Sequence, residues 1–222
     1  MNARAGEETE YGQELFDSLV RICAPSAAGG GAGELRLASA QSGELRKMKK
    51  FRFQLLHRWL VEHVAPCRVG DVAGGKGLLA YLLQCSGWEA AVIDPVNQAL
   101  PDKYKDIATG RRVKIGPDER VMRVDREFES GMARYYDLLV GMHAHGCNAK
   151  IIDAAAETGC GFVLFPCCVI DEPFYPRLGV SWLEAVADYA VWRGVELAPF
   201  RLNFKGQNIG LFAPGRRRLV AR

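Results

Sequence analysis

Residues 69–80 read V-G-D-V-A-G-G-K-G-L-L-A, and this stretch constrains the chain more than any other. A short apolar run closes on Asp71, a glycine-rich turn follows, and an apolar helical segment takes over. Glycine lets the main chain turn tightly and lets a ligand approach bare backbone at a helix N-terminus. The pattern predicts a strand, a backbone-exposing loop and a helix that together hold part of a nucleotide-like cofactor.

Strand and helix patterns then alternate. Strands are predicted at Arg68–Val72, Trp88–Ile93, Val121–Val124, Tyr136–Met142 and Gly161–Phe165. Helices are predicted at Gly77–Cys85, Asn148–Thr158 and Trp182–Arg193. Two closing strands, Glu196–Phe204 and Asn208–Phe212, flank Lys205-Gly206-Gln207. Apolar strands alternating with helices imply an α/β fold, a mostly parallel sheet covered on both faces. The closing pair implies an antiparallel end.

Upstream, Glu7–Cys23 carries Leu15, Phe16, Leu19, Val20 and Cys23 at helical spacing, and S-A-A-G-G-G-A-G at 26–33 reads as a flexible linker. Residues 1–43 are therefore an expected helical extension, a lid or partner arm, with one main domain over 44–222. That domain opens on a predicted helix, Glu44–Val64, with Arg46, Lys47, Lys49 and Lys50 on its first half. These cations form either a solvated face or a phosphate-contacting one. Arg52 falls within the apolar face and calls for an anionic partner, an internal aspartate or a ligand.

A net charge of +3 does not by itself argue for nucleic acid. No apolar run reaches the roughly 18–20 residues that span a bilayer, and no apolar leader is visible, so a cytoplasmic protein without membrane contact is expected. Seven cysteines, an odd number, exclude a complete set of intrachain disulfides.

Three cofactor turns compete for residues 69–80. The phosphate loop G-x-x-x-x-G-K-[ST] is excluded because Gly77 follows Lys76. The dinucleotide pattern G-x-G-x-x-[GA] is present at Gly75, Gly77 and Ala80, with Asp94 downstream. More residues fit a third pattern. Asp71-Val-Ala-Gly-Gly-Lys-Gly77 resembles the first motif of the class I S-adenosylmethionine (SAM)-dependent methyltransferases, D-x-G-x-G-x-G, with Ala73 in place of the first glycine. The resemblance extends over Arg68–Pro214 and implies a Rossmann-like, seven-stranded sheet with SAM as cofactor. By the same resemblance Asp71, Ala73, Gly74, Gly75 and Gly77 hold the methionine end. Asp94, with Pro95, takes the ribose hydroxyls, and Asp125 reads the adenine amino group. Asp137–His143, including Gly141 and Met142, forms the segment where donor and acceptor meet.

Two further segments lie after adjacent strands, Gly141-Met-His-Ala-His-Gly-Cys147 and Phe165-Pro-Cys-Cys168. They resemble a methyltransferase subgroup with an H-A-C or H-x-C-G element after strand four and a P-C-C element after strand five. Several members act on tRNA or other RNA. The lysine-rich helix also recurs there. This resemblance implies substrate contacts at Lys50, Arg52, His145, Pro166, Cys167 and Cys168. His143 is the best-placed general base or substrate orienter, against a purely structural role. His143, His145, Cys147, Cys160, Cys167 and Cys168 are soft-ligand types, but their spacing is no recognised zinc pattern. A continuing strand would also point Cys167 and Cys168 to opposite sides, so no metal set is assigned. A thiolate nucleophile, or small groups filling a tight turn, remain the other roles for the pair. Arg216, Arg217 and Arg218 form a short basic tail. No N-P-P-Y element follows strand four, which argues against adenine-N6 chemistry. The expectation is an enzyme transferring a methyl group from SAM to oxygen or nitrogen, with tRNA or rRNA favoured. A small-molecule acceptor and a non-catalytic SAM-binding scaffold are the alternatives.

Overall fold

The computed structural model describes residues 12–24 and 51–216. The predicted contacts at Lys50 and the cations at 46, 47 and 49 lie outside the described residues, as do the 26–33 linker, Arg217 and Arg218. In chain order the elements are α1 (Gln13–Cys23), α2 (Arg52–His63), β1 (Arg68–Val72), α3 (Leu78–Cys85) and β2 (Glu89–Ile93). Next come β3 (Lys103–Lys105), β4 (Arg112–Lys114), β5 (Met122–Val124), a 3-10 turn (Ser130–Tyr135), β6 (Leu138–Met142) and α4 (Asn148–Thr158). The chain closes with β7 (Gly161–Phe165), α5 (Trp182–Trp192), β8 (Ala198–Arg201) and β9 (Ile209–Ala213).

The seven-stranded sheet has the order β5-β2-β1-β6-β7-β9-β8. The first five strands run parallel, and β9 runs antiparallel to both β7 and β8. This is the Rossmann-like sheet with an antiparallel end that the sequence predicts. β6, β7 and β9 are buried at every position, as continuous apolar runs such as L-L-V-G-M require. Alternate side chains feed two cores. Leu139, Phe162 and Leu164 join α1, α4 and α5 on one face. Leu138, Val140, Val163 and Phe165 join α2 and α3 on the other.

Helix α1 is no free arm. Leu15 and Leu19 are buried in the first core, although Val20 of the predicted apolar stripe is 46% exposed. Ser18 hydrogen-bonds Glu184 of α5, and an Arg201 N–H donates to the Gly12 carbonyl at 2.9 Å. Helix α5 is itself started by a reciprocal capping box between Ser181 and Glu184. The β3–β4 hairpin, inserted between β2 and β5, is not foreseen by the sequence pattern. Its strands are three residues each, too short for an alternation to register. Strand β6 begins two residues later than predicted, because Asp137 turns aside to pair with Arg68 through bonds of 3.0 Å to Nε and Nη2. Asp137 therefore sits at the amino end of its strand, opposite the crevice where ligands bind in such sheets.

Candidate functional site

The carboxyl ends of β5, β2, β1, β6 and β7 form one continuous edge. Neighbouring strands are about 4.8 Å apart, so the end of β6 lies one spacing from β1 and that of β7 about 10 Å away.

At the end of β1 the chain enters the turn through Ala73, whose φ is +53°. A left-handed alanine carries roughly 1–2 kcal/mol of strain, which explains why the resembling motif has glycine there. The Ala73 N–H donates to the Ile93 carbonyl at 2.8 Å, tying the turn to β2. Gly74 is needed for space: a Cβ there would lie 2.5 Å from Asp71 Oδ2. Gly75 and Gly77 have φ of +54° and +77°. Gly77 caps α3, and a Cβ on it would meet Val92 at 2.9 Å.

Asp71 lies beneath this turn at 1% exposure. Its Oδ2 is buried with no hydrogen-bond partner among the described residues. Burial pushes the carboxyl from 3.8 up to about 7, with Asp94 adding to the rise and the Ala80 amide and Arg123 opposing it. Asp94 is 8% exposed, and its carboxylate accepts from the Gly75 and Val96 amides, both at 2.9 Å. Those bonds fix the turn against the end of β2. A carboxylate has about four acceptor positions, so capacity remains for hydroxyl donors. Asp125 is exposed and accepts from Asn97 Nδ2 at 2.8 Å and Arg123 Nε at 3.3 Å. Pro95 is exposed beside it at the rim.

Sequence reading missed Arg123. From β5 its guanidinium donates to the Gly75 carbonyl at 3.0 Å and the Val96 carbonyl at 2.9 Å, while pairing with Asp125. It staples the glycine turn to the loop after β2. The signal was an arginine inside a short strand, M-R-V, two positions before an acid.

The β6 and β7 ends are built differently. Gly141 packs tightly: a Cβ would lie 2.8 Å from Leu164 and 2.9 Å from Ile151, inside the core. Met142 is likewise buried, at 6% exposure. His143 leaves the strand with φ +60° and donates its N–H to the Phe165 carbonyl at 3.2 Å. A non-glycine residue in the left-handed region marks a strained strand end, and Nε2 of this histidine is buried. His145 is exposed two residues on, and Pro166 is buried.

Of the six soft-ligand residues, the fold brings three together. One ligand atom each from His145, Cys167 and Cys168 lies within 4.8 Å of the others. The expected divergence of the two cysteines does not occur, because β7 ends at Phe165 and the chain is no longer pleated beyond Pro166. Cys147 instead caps α4, and Cys160 is buried at the start of β7. Burial raises the pKa of both thiols above 9.0. Glu172, also unforeseen, ties the two loops. Its carboxylate accepts from the Asn148 amide at 2.9 Å, the Asn148 side chain at 2.5 Å and the Ala149 amide at 3.1 Å. The two amides are first-turn donors of α4 that would otherwise be orphaned.

Beside the turn, a cavity of about 490 Å³ runs between Phe51 and Gln54 of α2, Leu78 of α3 and the β3–β4 hairpin. Gln54 Nε2 donates to the Lys105 carbonyl at 3.2 Å, which anchors the hairpin to α2. Arg52 does not line this cavity; it stacks 4.4 Å over Phe53, and its Nε is buried with no partner among the described residues. The internal aspartate expected for it is not found among those residues.

No family model matches the chain, and no curated protein matches it. Solved structures do resemble it. One is the SAM-dependent methyltransferase SibL in its apo form, at 17% identity over 73% of this chain and 54% of that one, with a TM-score of 0.44. Another is the Burkholderia thailandensis 1,6-didemethyltoxoflavin-N1-methyltransferase with S-adenosylhomocysteine, at 15% over 72% and 74%, TM-score 0.41. A third is human N-acetylserotonin methyltransferase in complex with SAM, at 13% over 73% and 50%, TM-score 0.38. The chain thus spans about half the length of two of these three. With similarity this low, the fold assignment rests on the strand order and the reversed β9.

Proposed function

We propose that this chain binds SAM along the edge formed by β5, β2, β1 and β6 and transfers its methyl group to an oxygen or nitrogen atom, with RNA as the acceptor. The observation that carries the cofactor reading is Asp71. A buried carboxylate oxygen without a partner among the described residues, beneath a turn of bare backbone, suits a cationic ligand better than a neutral or anionic one. SAM when bound supplies a methyl group on a sulfonium and carries an ammonium at its methionine end. Asp71 would hold that positive charge, and the Gly74–Gly77 turn would give close main-chain contact. Asp94 would take hydroxyls with its remaining acceptor capacity, and Asp125 at the rim would meet an amino group. His143, one strand from Asp71, would orient the acceptor or take its proton.

The β3–β4 hairpin supports RNA as the acceptor class. Lys103 lies opposite Lys114, and Lys105 opposite Arg112, all four exposed. Like charges placed directly across a ladder destabilise it, so a hairpin that keeps two such pairs suits a polyanion. Lys103, Lys105 and Arg112 also border the 490 Å³ cavity beside the turn. The size of that cavity suits a small molecule too, which makes a small-molecule acceptor the competing reading.

The test is methyl incorporation from labelled SAM into total RNA, compared with the double variant Lys103→Glu, Arg112→Glu. That change leaves each cross-strand pair with opposite charges, so the hairpin is not weakened while its face becomes neutral. RNA labelling should fall at least tenfold with SAM affinity retained. The salt dependence of RNA binding should flatten by roughly 0.7 in log–log slope for each phosphate that the variant no longer neutralises. Unchanged RNA labelling in the variant would remove the hairpin argument. Labelling only of low-molecular-weight material would favour the small-molecule reading.

A further inference from the structure

We infer that His145, Cys167 and Cys168 form a zinc site with three protein ligands and an open fourth position. Tetrahedral zinc with Zn–S near 2.3 Å and Zn–N near 2.0–2.1 Å sets its ligand atoms about 3.5–3.8 Å apart. The Cys167 and Cys168 sulfurs are 3.7 Å apart, far beyond the roughly 2.05 Å of a disulfide and at the edge length of that tetrahedron. A histidine nitrogen lies within 4.8 Å of both sulfurs. A small rotation of an exposed imidazole closes the rest of that distance.

The two loops that carry these ligands are locked together before any metal arrives. Glu172, four residues after Cys168, bonds the amides of Asn148 and Ala149, the first of which lies three residues after His145. At Gly146, with φ +65°, a Cβ would meet Asp171 at 2.9 Å, so these loops touch directly beside His145. Strand β7 ends at Phe165, one residue before Pro166, and beyond it the two sulfurs lie together. A site held by its backbone in this way needs little reorganisation to take an ion.

The ligand chemistry selects the metal. Two thiolates and one imidazole favour a thiophilic ion of flexible geometry, and they reject magnesium and calcium, which take oxygen ligands. Two thiolates also neutralise the dication. His145 is exposed and both cysteines are half-buried, so the fourth position opens to solvent at the edge that His143 shares. Three protein ligands with one open position is the arrangement of zinc sites that act as Lewis acids. If the methyl-transfer reading holds, an acceptor hydroxyl in the fourth position would release its proton to solvent more readily. Metal binding itself does not depend on that reading.

The test uses the full chain, reduced with a phosphine and stripped with a chelator, then titrated with Co²⁺ as an optical stand-in for zinc. One equivalent should give thiolate-to-cobalt charge-transfer absorption and the intense visible bands of tetrahedral cobalt, and Zn²⁺ should abolish both. Cys167→Ser with Cys168→Ser should remove the charge-transfer band. Its affinity should fall at least about a hundredfold, beyond the 10–100-fold usual when only a residue supporting a ligand is removed. Cys85→Ser, at an exposed cysteine elsewhere, should behave as wild type, and circular dichroism checks that each variant is folded. No charge-transfer band at one equivalent, or a band that survives the double cysteine variant, would overturn the site. Neither readout involves SAM, so failure here leaves the cofactor reading standing, and failure of SAM binding leaves this one.

Discussion

The carboxyl edge of the sheet carries two candidate sites built in opposite ways. At β1 and β2 the site is made of main chain and carboxylates within residues 71–96, joined from further along the chain by Arg123. Asp94 is pinned by two amides, and Asp71 is held under the turn, deeply buried with its Oδ2 unpartnered among the described residues. At β6 and β7 the site is made of side chains from two loops, 143–148 and 166–172, which meet only because their strands are neighbours. The first region keeps a carboxyl that burial pushes up to about 7 beneath a turn strained at Ala73. The second is fully braced by Glu172 and exposes soft nucleophilic groups. On the two proposals made above, a buried carboxylate under a strained turn suits the first region to a cationic ligand, and clustered soft side chains suit the second to a metal ion.

The largest effect that would sharpen this contrast is expected from Gly74→Ala. The added Cβ would lie 2.5 Å from Asp71 Oδ2 and 3.0 Å from the Asp71 carbonyl, and backbone cannot move aside cheaply. Overpacking of this kind costs about 1–3 kcal/mol, or roughly 2–12 °C in midpoint for a chain of this size. SAM affinity should fall with it while cobalt binding persists, as thermal unfolding and the two titrations would reveal. A variant that binds SAM normally would mean that the turn is mere packing.

A smaller effect is expected in the other region from Glu172→Gln. The amide can still accept two hydrogen bonds, but its NH₂ faces an N–H and the charge at the N-terminus of α4 is lost. Charge-assisted bonds and the helix dipole together make this a loss of about 1–2 kcal/mol. Cobalt affinity should drop while SAM affinity stays within about twofold, measured by calorimetry on the same preparation. Equal losses of both would show that the two regions are one coupled site.

The contrast also explains what was legible in the sequence. The glycine turn and its acids are local, so their spacing is enough to predict that Asp71, Gly74 and Asp94 come together. The predicted bounds of strands β1 and β7 and helix α4 match the observed ones, because β1 and β7 are buried almost throughout and α4 shows an apolar face of Ile151, Ile152 and Ala155 ended by Gly159. Non-local features were illegible. Nothing in P-C-C says that the strand stops before the cysteines, and nothing in M-R-V says that Arg123 reaches across to Gly75. The tight packing of Gly141 against Leu164 and Ile151 was equally illegible, because position alone does not reveal such contacts. The hairpin was hidden by its length, and Glu172 by the 23 or 24 residues between it and the amides it caps.

The proposed cofactor role requires Asp71, buried with its Oδ2 unpartnered among the described residues, to hold a cationic ligand. Calorimetric titration of SAM into wild type and Asp71→Asn between about pH 6 and pH 8.5 tests it most directly, with thermal midpoints recorded alongside. The carboxyl titrates at 3.8 when unfolded and at about 7 when folded. Between those values the folded chain binds the extra proton, so ligand-free stability falls as pH rises through that window and levels off above it. Asp71→Asn removes that burden, so it should raise the ligand-free midpoint near pH 8 and leave it little changed near pH 4. Wild type should bind SAM more tightly as pH rises through about 7, and the variant should lose binding about a hundredfold or more. SAM binding that is equally tight in the variant and flat with pH would contradict the account.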